Sequence, residues 1–233
     1  MQITGLYYGS KLLKLVEFPV VKCIGSGVVM DEIQKMLDTS GKLVVKPIFF
    51  GGVGRKGKAG LIRFVDNLAD AMEAKEDLYF VSHQWGGRTV RANGVIFEEY
   101  VPSEIEVYFS ITTSTQKRKP IFTITPHGGV EVEELPADKK KEVWIDPFIG
   151  IKSFDITNAL VDTGCPEQYI SPLVQHLPKL WALYDNYGLT TLEINPIRLK
   201  RQGNRWLPVA CDFKAAFDQD NPAWRRLELP NTI

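Results

Sequence analysis

The chain has 233 residues, with Lys plus Arg and Asp plus Glu balanced at 28 each and 44% hydrophobic side chains. Zero net charge argues against a general nucleic-acid or anionic-membrane surface, which needs a basic excess, and no long uncharged apolar run marks a membrane span. Cys23, Cys165 and Cys211 are too far apart for a zinc knuckle and too few for a disulfide framework. Together with an N-terminus that lacks a basic n-region or an Arg-rich presequence, this predicts a soluble cytoplasmic protein with reduced thiols.

In chain order, Ile33, Met36 and Leu37 recur at helical spacing from Met30 and stop at Gly41, a plausible cap region. Residues 43–50 are apolar and β-branched, a Gly/basic segment runs from Gly51 to Gly60, and residues 61–65 are apolar again, which reads as strand, loop, strand. Asp66 is a candidate cap for a helix through about Lys75. Residues 95–101 form a further extended segment. Ile105, Val107, Phe109 and Ile111 then alternate with polar neighbours, as in a half-buried strand, and residues 120–125 supply its antiparallel neighbour. The charged segment 136–141 reads as a solvated connection. Helical patterns follow at 155–162 and 170–187, the second stopped by Gly188. Gly203-Asn204 suits a two-residue hairpin turn. The whole is an α+β pattern of helices and mostly antiparallel strands in two lobes with a cleft between them.

The hairpin carries the strongest chemical signal. Pairing outward from Gly203-Asn204 sets Asn195 opposite Asp212, and period-two alternation adds Glu193 and Lys214 to the same surface. An amide and carboxylates so placed suit Mg²⁺, which takes one or two protein oxygens and completes its octahedron with water and phosphate. The segment from Gly51 to Gly60 pairs glycines, whose main-chain N–H groups can close on phosphate, with Arg55, Lys56 and Lys58. It is not a Walker A loop, since no Ser or Thr follows the Gly-Lys and a strand comes next. Lys46, inside an apolar strand, needs an anion to offset the cost of burying its charge.

Taken in order, Val44-Val45-Lys46-Pro47, Gly57-Lys58-Ala59-Gly60, Phe97-Glu98-Glu99-Tyr100-Val101-Pro102, Gly128-Gly129-Val130-Glu131-Val132 and Leu192-Glu193-Ile194-Asn195-Pro196 with Asp212 give the chain its resemblance. It resembles the ATP-grasp domain of the acyl-CoA synthetases, the family of the succinyl-CoA synthetase β subunit and ATP-citrate lyase, from about Leu43 to Asp218. The resemblance implies an ATP-grasp fold over residues 1–233, with a small lobe inserted roughly at 15–100 and the family's C-terminal flavodoxin-like domain absent. It implies ATP, or GTP, as nucleotide and Mg²⁺ on Asn195 and Asp212. Lys46 would contact phosphate or adenine, Gly54, Arg55, Lys56, Gly57 and Lys58 the phosphate chain. Glu98 and the backbone through Tyr100 and Val101 would hold the adenine edge, and Glu106 the ribose. Glu193 would face a phosphohistidine loop, so the catalytic set is Glu193 with Arg55 and Lys56.

His83, His127 and His176 are not in a phosphohistidine motif, so the resemblance implies an α-type partner, in a hetero-oligomer, that brings that histidine and the CoA site. The complex would convert ATP, a di- or tricarboxylate and CoA to ADP, phosphate and acyl-CoA. Several features depart from the family, among them a loop between Lys46 and Gly57 longer than is usual and a weaker match over the first forty residues. Lys56 stands where the family usually has Arg, leaving open whether Arg55 or Lys56 meets phosphate, and His127 replaces an acidic residue. The rival readings are a nucleotide-binding module without turnover and an ATP-grasp ligase that forms an amide.

Overall fold

The computed structural model describes residues 1–25, 27, 29–50, 53, 56–115, 118–129 and 132–227. In chain order the elements are β1 (Gln2–Thr4), α1 (Leu6–Leu15), β2 (Cys23–Gly25), α2 (Met30–Ser40), β3 (Leu43–Pro47), β4 (Arg63–Val65), α3 (Leu68–Tyr79), β5 (Ser82–Trp85), β6 (Arg88–Arg91) and β7 (Val95–Glu99). There follow β8 (Glu106–Ser114), β9 (Lys119–Thr125), β10 (Lys141–Trp144), α4 (Ser153–Asp162), α5 (Glu167–His176), α6 (Leu180–Asn186), β11 (Leu189–Gln202), β12 (Arg205–Ala210) and β13 (Lys214–Phe217).

Local chemistry explains the helix ends. Gly41 closes α2 in the left-handed conformation, φ 70°, with its N–H on Leu37 O at 2.7 Å. Asp31 and Glu32 in its first turn complement the helix dipole. The cap of α3 is Asn67 rather than Asp66: Asn67 Oδ1 accepts from Asp70 N at 2.9 Å, while Asp66 accepts from the Asn67 amide. With that cap the helix runs on to Tyr79. The pattern at 170–187 is not one helix. Pro178 interrupts it with a short 3₁₀ turn, Leu177–Lys179, between α5 and α6.

The small lobe is a four-stranded antiparallel sheet, β2-β7-β3-β4, packed against α2 and α3. The β5-β6 hairpin adds to it. Ile33, Leu43, Val45, Val95 and Phe97, all fully buried, form its core. The large lobe is a seven-stranded antiparallel sheet, ordered β1-β13-β11-β8-β9-β10, with β12 on the far half of β11. Val107, Phe109 and Ile111 point into its core as their alternation predicts. Phe109 stacks on Phe122 of β9 at 5.8 Å, and each such buried side chain contributes about 1.5–3 kcal/mol. Short segments carried no signal: β1, β10 and the β5-β6 hairpin are each three or four residues long.

Strand β11 sets up the cleft. It pairs with β12 from Gln202↔Arg205 to Ile197↔Ala210, the register expected from the Gly203-Asn204 turn, and with β13 at Glu193↔Lys214. Between these two partners, Cys211–Phe213 leave the ladder. On its other edge β11 slips by one residue against β8 between Ile194 and Ile197. This bulge at Asn195-Pro196, whose peptide bond is cis, switches the alternation. Leu192 and Ile194 are buried before it, Ile197 and Leu199 after it. Arg198 and Lys200 therefore share the face of Glu193 and Asn195.

Candidate functional site

A cleft of about 540 Å³ lies between the lobes, and every described residue given a site role above lines it. The small lobe contributes Lys46, Lys56, Gly57, Lys58 and Glu98; the strap after β7 contributes Tyr100 and Val101; the large lobe contributes Glu106, Glu193, Asn195 and Asp212. Gly54 and Arg55 lie outside the described residues.

Lys46 is 7% exposed, and its Nζ meets Glu98 Oε2 at 2.5 Å and donates to Cys211 O at 2.7 Å. The anion that accompanies the buried lysine is thus a carboxylate of the neighbouring strand β7, so burial of Lys46 alone does not call for a phosphate. Burial on its own would lower the Lys46 pKa; the Glu98 and Asp212 charges outweigh it and raise it, keeping the ammonium charged. Burial pushes the Glu98 carboxyl up, with Lys46 pulling against it. Glu98 is 2% exposed and its Oε1 has no partner among the described residues. A buried acceptor without a donor is costly, and Glu98 is one of the residues that line the cleft.

The loop Lys56–Leu61 is closed by Gly60 N on Gly57 O and Leu61 N on Lys56 O. It carries Lys56 Nζ to 3.7 Å from Asp212 Oδ2, across the two lobes. Asp212 is held in place by its neighbour: Phe213, 2% exposed, lies beneath α1, and a Cβ at Gly9 would come within 2.6 Å of its ring. Gly5 N also donates to Phe213 O at 2.7 Å.

Asn195 is tied to the Gly129 backbone in both directions, Oδ1 accepting from its N–H and Nδ2 donating to its O, each at 2.7 Å. This fixes the amide while leaving Oδ1 a second lone pair. The glycines here are steric necessities. A Cβ at Gly128 would stand 2.7 Å from Glu106 O, and one at Gly129, where φ is +100°, would stand 2.8 Å from Glu106 Oε2. Val130 and Glu131 lie outside the described residues, and His127 is exposed, bridging by its backbone to Glu106.

Among the described residues no group of three or more His, Cys, Asp and Glu side chains could hold a metal. Among the oxygen donors lining the cleft, the Asp212 carboxylate and the Asn195 amide fit an ion such as Mg²⁺ that keeps most of its shell for water and phosphate.

Two cations escaped the sequence reading. Arg198 donates through Nε (3.1 Å) and Nη2 to Glu106 Oε1 and through Nη1 to Val101 O at 3.0 Å, with its guanidinium 5.2 Å from the Tyr100 ring centre. Lys200 Nζ meets Glu99 Oε1 at 2.5 Å. Together they fasten the strap between the lobes to β11. Their signal was Pro196, which marks the bulge that turns them toward the cleft.

A sequence family described as an ATP-grasp domain matches residues 8–199. The chain is 29% identical over 192 residues to the β subunit of succinate–CoA ligase [ADP-forming] from Koribacter versatilis (strain Ellin345), covering 81% of this chain and 48% of that protein. The chain spans about half the length of the curated relatives it matches. Its fold is similar to that of ATP citrate lyase from Methanothrix soehngenii in complex with citrate and coenzyme A, with TM-score 0.70, 21% identity, and coverage of 98% of this chain and 55% of that one. It is also similar to a dinucleotide-forming acetyl-coenzyme A synthetase of Ca. Korarchaeum cryptofilum in complex with coenzyme A and Mg-AMPPCP, with its phosphohistidine segment pointing towards the nucleotide-binding site. There the TM-score is 0.63, the identity 14% and the coverage 91% of each chain. Fold, cleft and the extent of the family match agree: the chain belongs to the ATP-grasp family.

Proposed function

We propose that this chain is the nucleotide-binding, phosphoryl-transfer unit of an ADP-forming acyl-CoA ligase or ATP-citrate lyase type of complex, working in the cytoplasm. The observation that carries the reading is the composition of the cleft between the lobes. Lys46, Lys56 and Lys58 face Asn195 and Asp212 across it, and Glu98, whose Oε1 has no partner among the described residues, lines its small-lobe wall. In this reading residues 1–233 form a single ATP-grasp domain. Glu98 Oε1 and the strap backbone hold the adenine, which offers its 6-amino group to Oε1, where guanine carries a carbonyl oxygen. Glu106 holds the ribose, while Lys56 and Lys58 hold the phosphates.

Asn195 and Asp212 would hold Mg²⁺, which when bound neutralises phosphate charge, the main task in phosphoryl transfer. Asp212 would exchange its 3.7 Å contact with Lys56 for that ion, freeing Lys56 for phosphate. Glu193 would position an acceptor histidine from an α-type partner, which also brings the CoA site. A carboxylate such as succinate or citrate would be activated there. Support comes from what the similar proteins are named to bind and do, and from the residues that line the cleft.

The test uses the full chain with ATP, GTP and adenosine, with and without Mg²⁺, and then γ-labelled ATP with a phosphohistidine-bearing partner. The reading predicts Mg²⁺-dependent ATP binding and acid-labile label on the partner. Tight ATP binding with no label transferred would favour a binding module, and no ATP binding would refute the reading.

A further inference from the structure

Arg198 places both of its near donors, Nε and Nη2, on the same oxygen of Glu106, Oε1. A guanidinium commonly grips both oxygens of a carboxylate as a fork. Here no described donor is paired with Glu106 Oε2, which faces Gly129 so closely that a Cβ there would come within 2.8 Å. Glu106, Gly129 and Arg198 all line the cleft. The third donor, Nη1, holds Val101 O at 3.0 Å, and the guanidinium packs on Tyr100, so Arg198 cannot swing away without releasing the strap.

We infer that Arg198 is a positioning residue for nucleotide selection, which fixes Glu106 by one oxygen so that the other is presented to the ribose hydroxyls. The inference rests on the proposed nucleotide reading and deepens it. Two consequences separate its roles. As a fork, Arg198 stops rotation of the Glu106 carboxylate, and a lysine at this position would supply charge without the same directional grip. As a cation, it cancels the Glu106 charge inside a cleft that must admit a polyanion. Losing orientation should erase discrimination for ribose hydroxyls, whereas losing charge should weaken every nucleotide alike.

The experiment measures the affinity of the full chain for ATP and for 2′,3′-dideoxy-ATP at fixed Mg²⁺, in the parent, Arg198→Met, Arg198→Lys and Glu106→Ala, with thermal unfolding alongside. The parent should prefer ATP by roughly ten-fold or more, the scale of a hydrogen bond to a charged group. Arg198→Met and Glu106→Ala should bring that ratio close to one. Arg198→Lys should also lower the ratio well below the parent's, yet bind dideoxy-ATP as the parent does, whereas Arg198→Met binds it more weakly. If Arg198→Met does not fold, the Arg198→Lys ratio decides. A parental ratio kept by the folded Arg198 variants overturns the inference while leaving the nucleotide reading intact. A parent that binds ATP with no ribose preference overturns both the ribose role of Glu106 and the inference, and a parent that binds no ATP overturns the proposed function itself.

Discussion

Replacing Lys46 by Met removes the cation that neutralises Glu98 and leaves that carboxylate, 2% exposed, with neither oxygen partnered by a described residue. Breaking a buried ion pair on one side costs ~3–5 kcal/mol, because the remaining charge stays buried and uncompensated. Removing both partners should be milder. In Lys46→Met/Glu98→Leu only the Cys211 carbonyl loses its donor, at ~1–3 kcal/mol, so the double variant should be more stable than the single one. The loss should also depend on pH. Burial raises the Glu98 pKa, and without Lys46 nothing opposes that rise as strongly.

A carboxyl whose folded pKa lies above its unfolded value, about 4.3, costs no stability while both states are protonated. The cost grows as pH rises from the unfolded value toward the folded one and is complete above it, so the single variant should lose less at pH 5 than at pH 8. In the parent, the raised Lys46 pKa gives stability that is fully present below the unfolded lysine value of about 10.4. That contribution adds no slope between pH 5 and 8. Urea denaturation of the parent and both variants at the two pH values measures all of this. A single variant within 1 kcal/mol of the parent at pH 8, with a double variant no better, would refute the reasoning.

Gly128→Ala should destabilise by more than ~2 kcal/mol, since its Cβ would meet the Glu106 backbone, whereas Gly203→Ala at the open hairpin tip, where φ is +58°, should cost only the left-handed backbone strain, ~1–2 kcal/mol; thermal unfolding compares them. Lys56→Met should weaken ATP binding by ~1.5–3 kcal/mol and leave adenosine binding unchanged, which titration calorimetry with both ligands checks. Burial pushes the Cys211 thiol up to about 12 and the Cys165 thiol to about 11, so both should resist iodoacetamide at pH 8, as mass spectrometry of the modified chain would show.

The parts of the fold legible in the sequence were those with strong local rules. Gly203-Asn204 and the flanking alternation gave the β11-β12 register, and Val107, Phe109 and Ile111 gave a central strand. What escaped depended on distant partners. Strand β1 has three residues whose only reason to be extended is pairing with β13, some two hundred positions away. The counter-ion of Lys46 was assigned to a ligand because Glu98 becomes its neighbour only once β7 lies beside β3. Arg198 was hidden by the bulge, since unbroken alternation from Asn195 would have pointed it away from the site. Asp66 lost its capping role to Asn67, an adjacent residue of equal preference, which propensity alone does not resolve.

The central claim is that Asp212 and Asn195 make the nucleotide site magnesium-dependent. Its most direct test is the ATP affinity of the parent and of Asp212→Asn, each with and without Mg²⁺, measured beside thermal unfolding. Asparagine keeps the size and an acceptor oxygen, including one for the Phe213 N–H that Asp212 Oδ1 now takes at 2.9 Å, and removes only the charge that balances the cation. The account predicts that Mg²⁺ tightens ATP binding in the parent, and that the variant folds as stably but loses that enhancement. An Asp212→Asn chain that keeps the full magnesium enhancement at unchanged stability would contradict it.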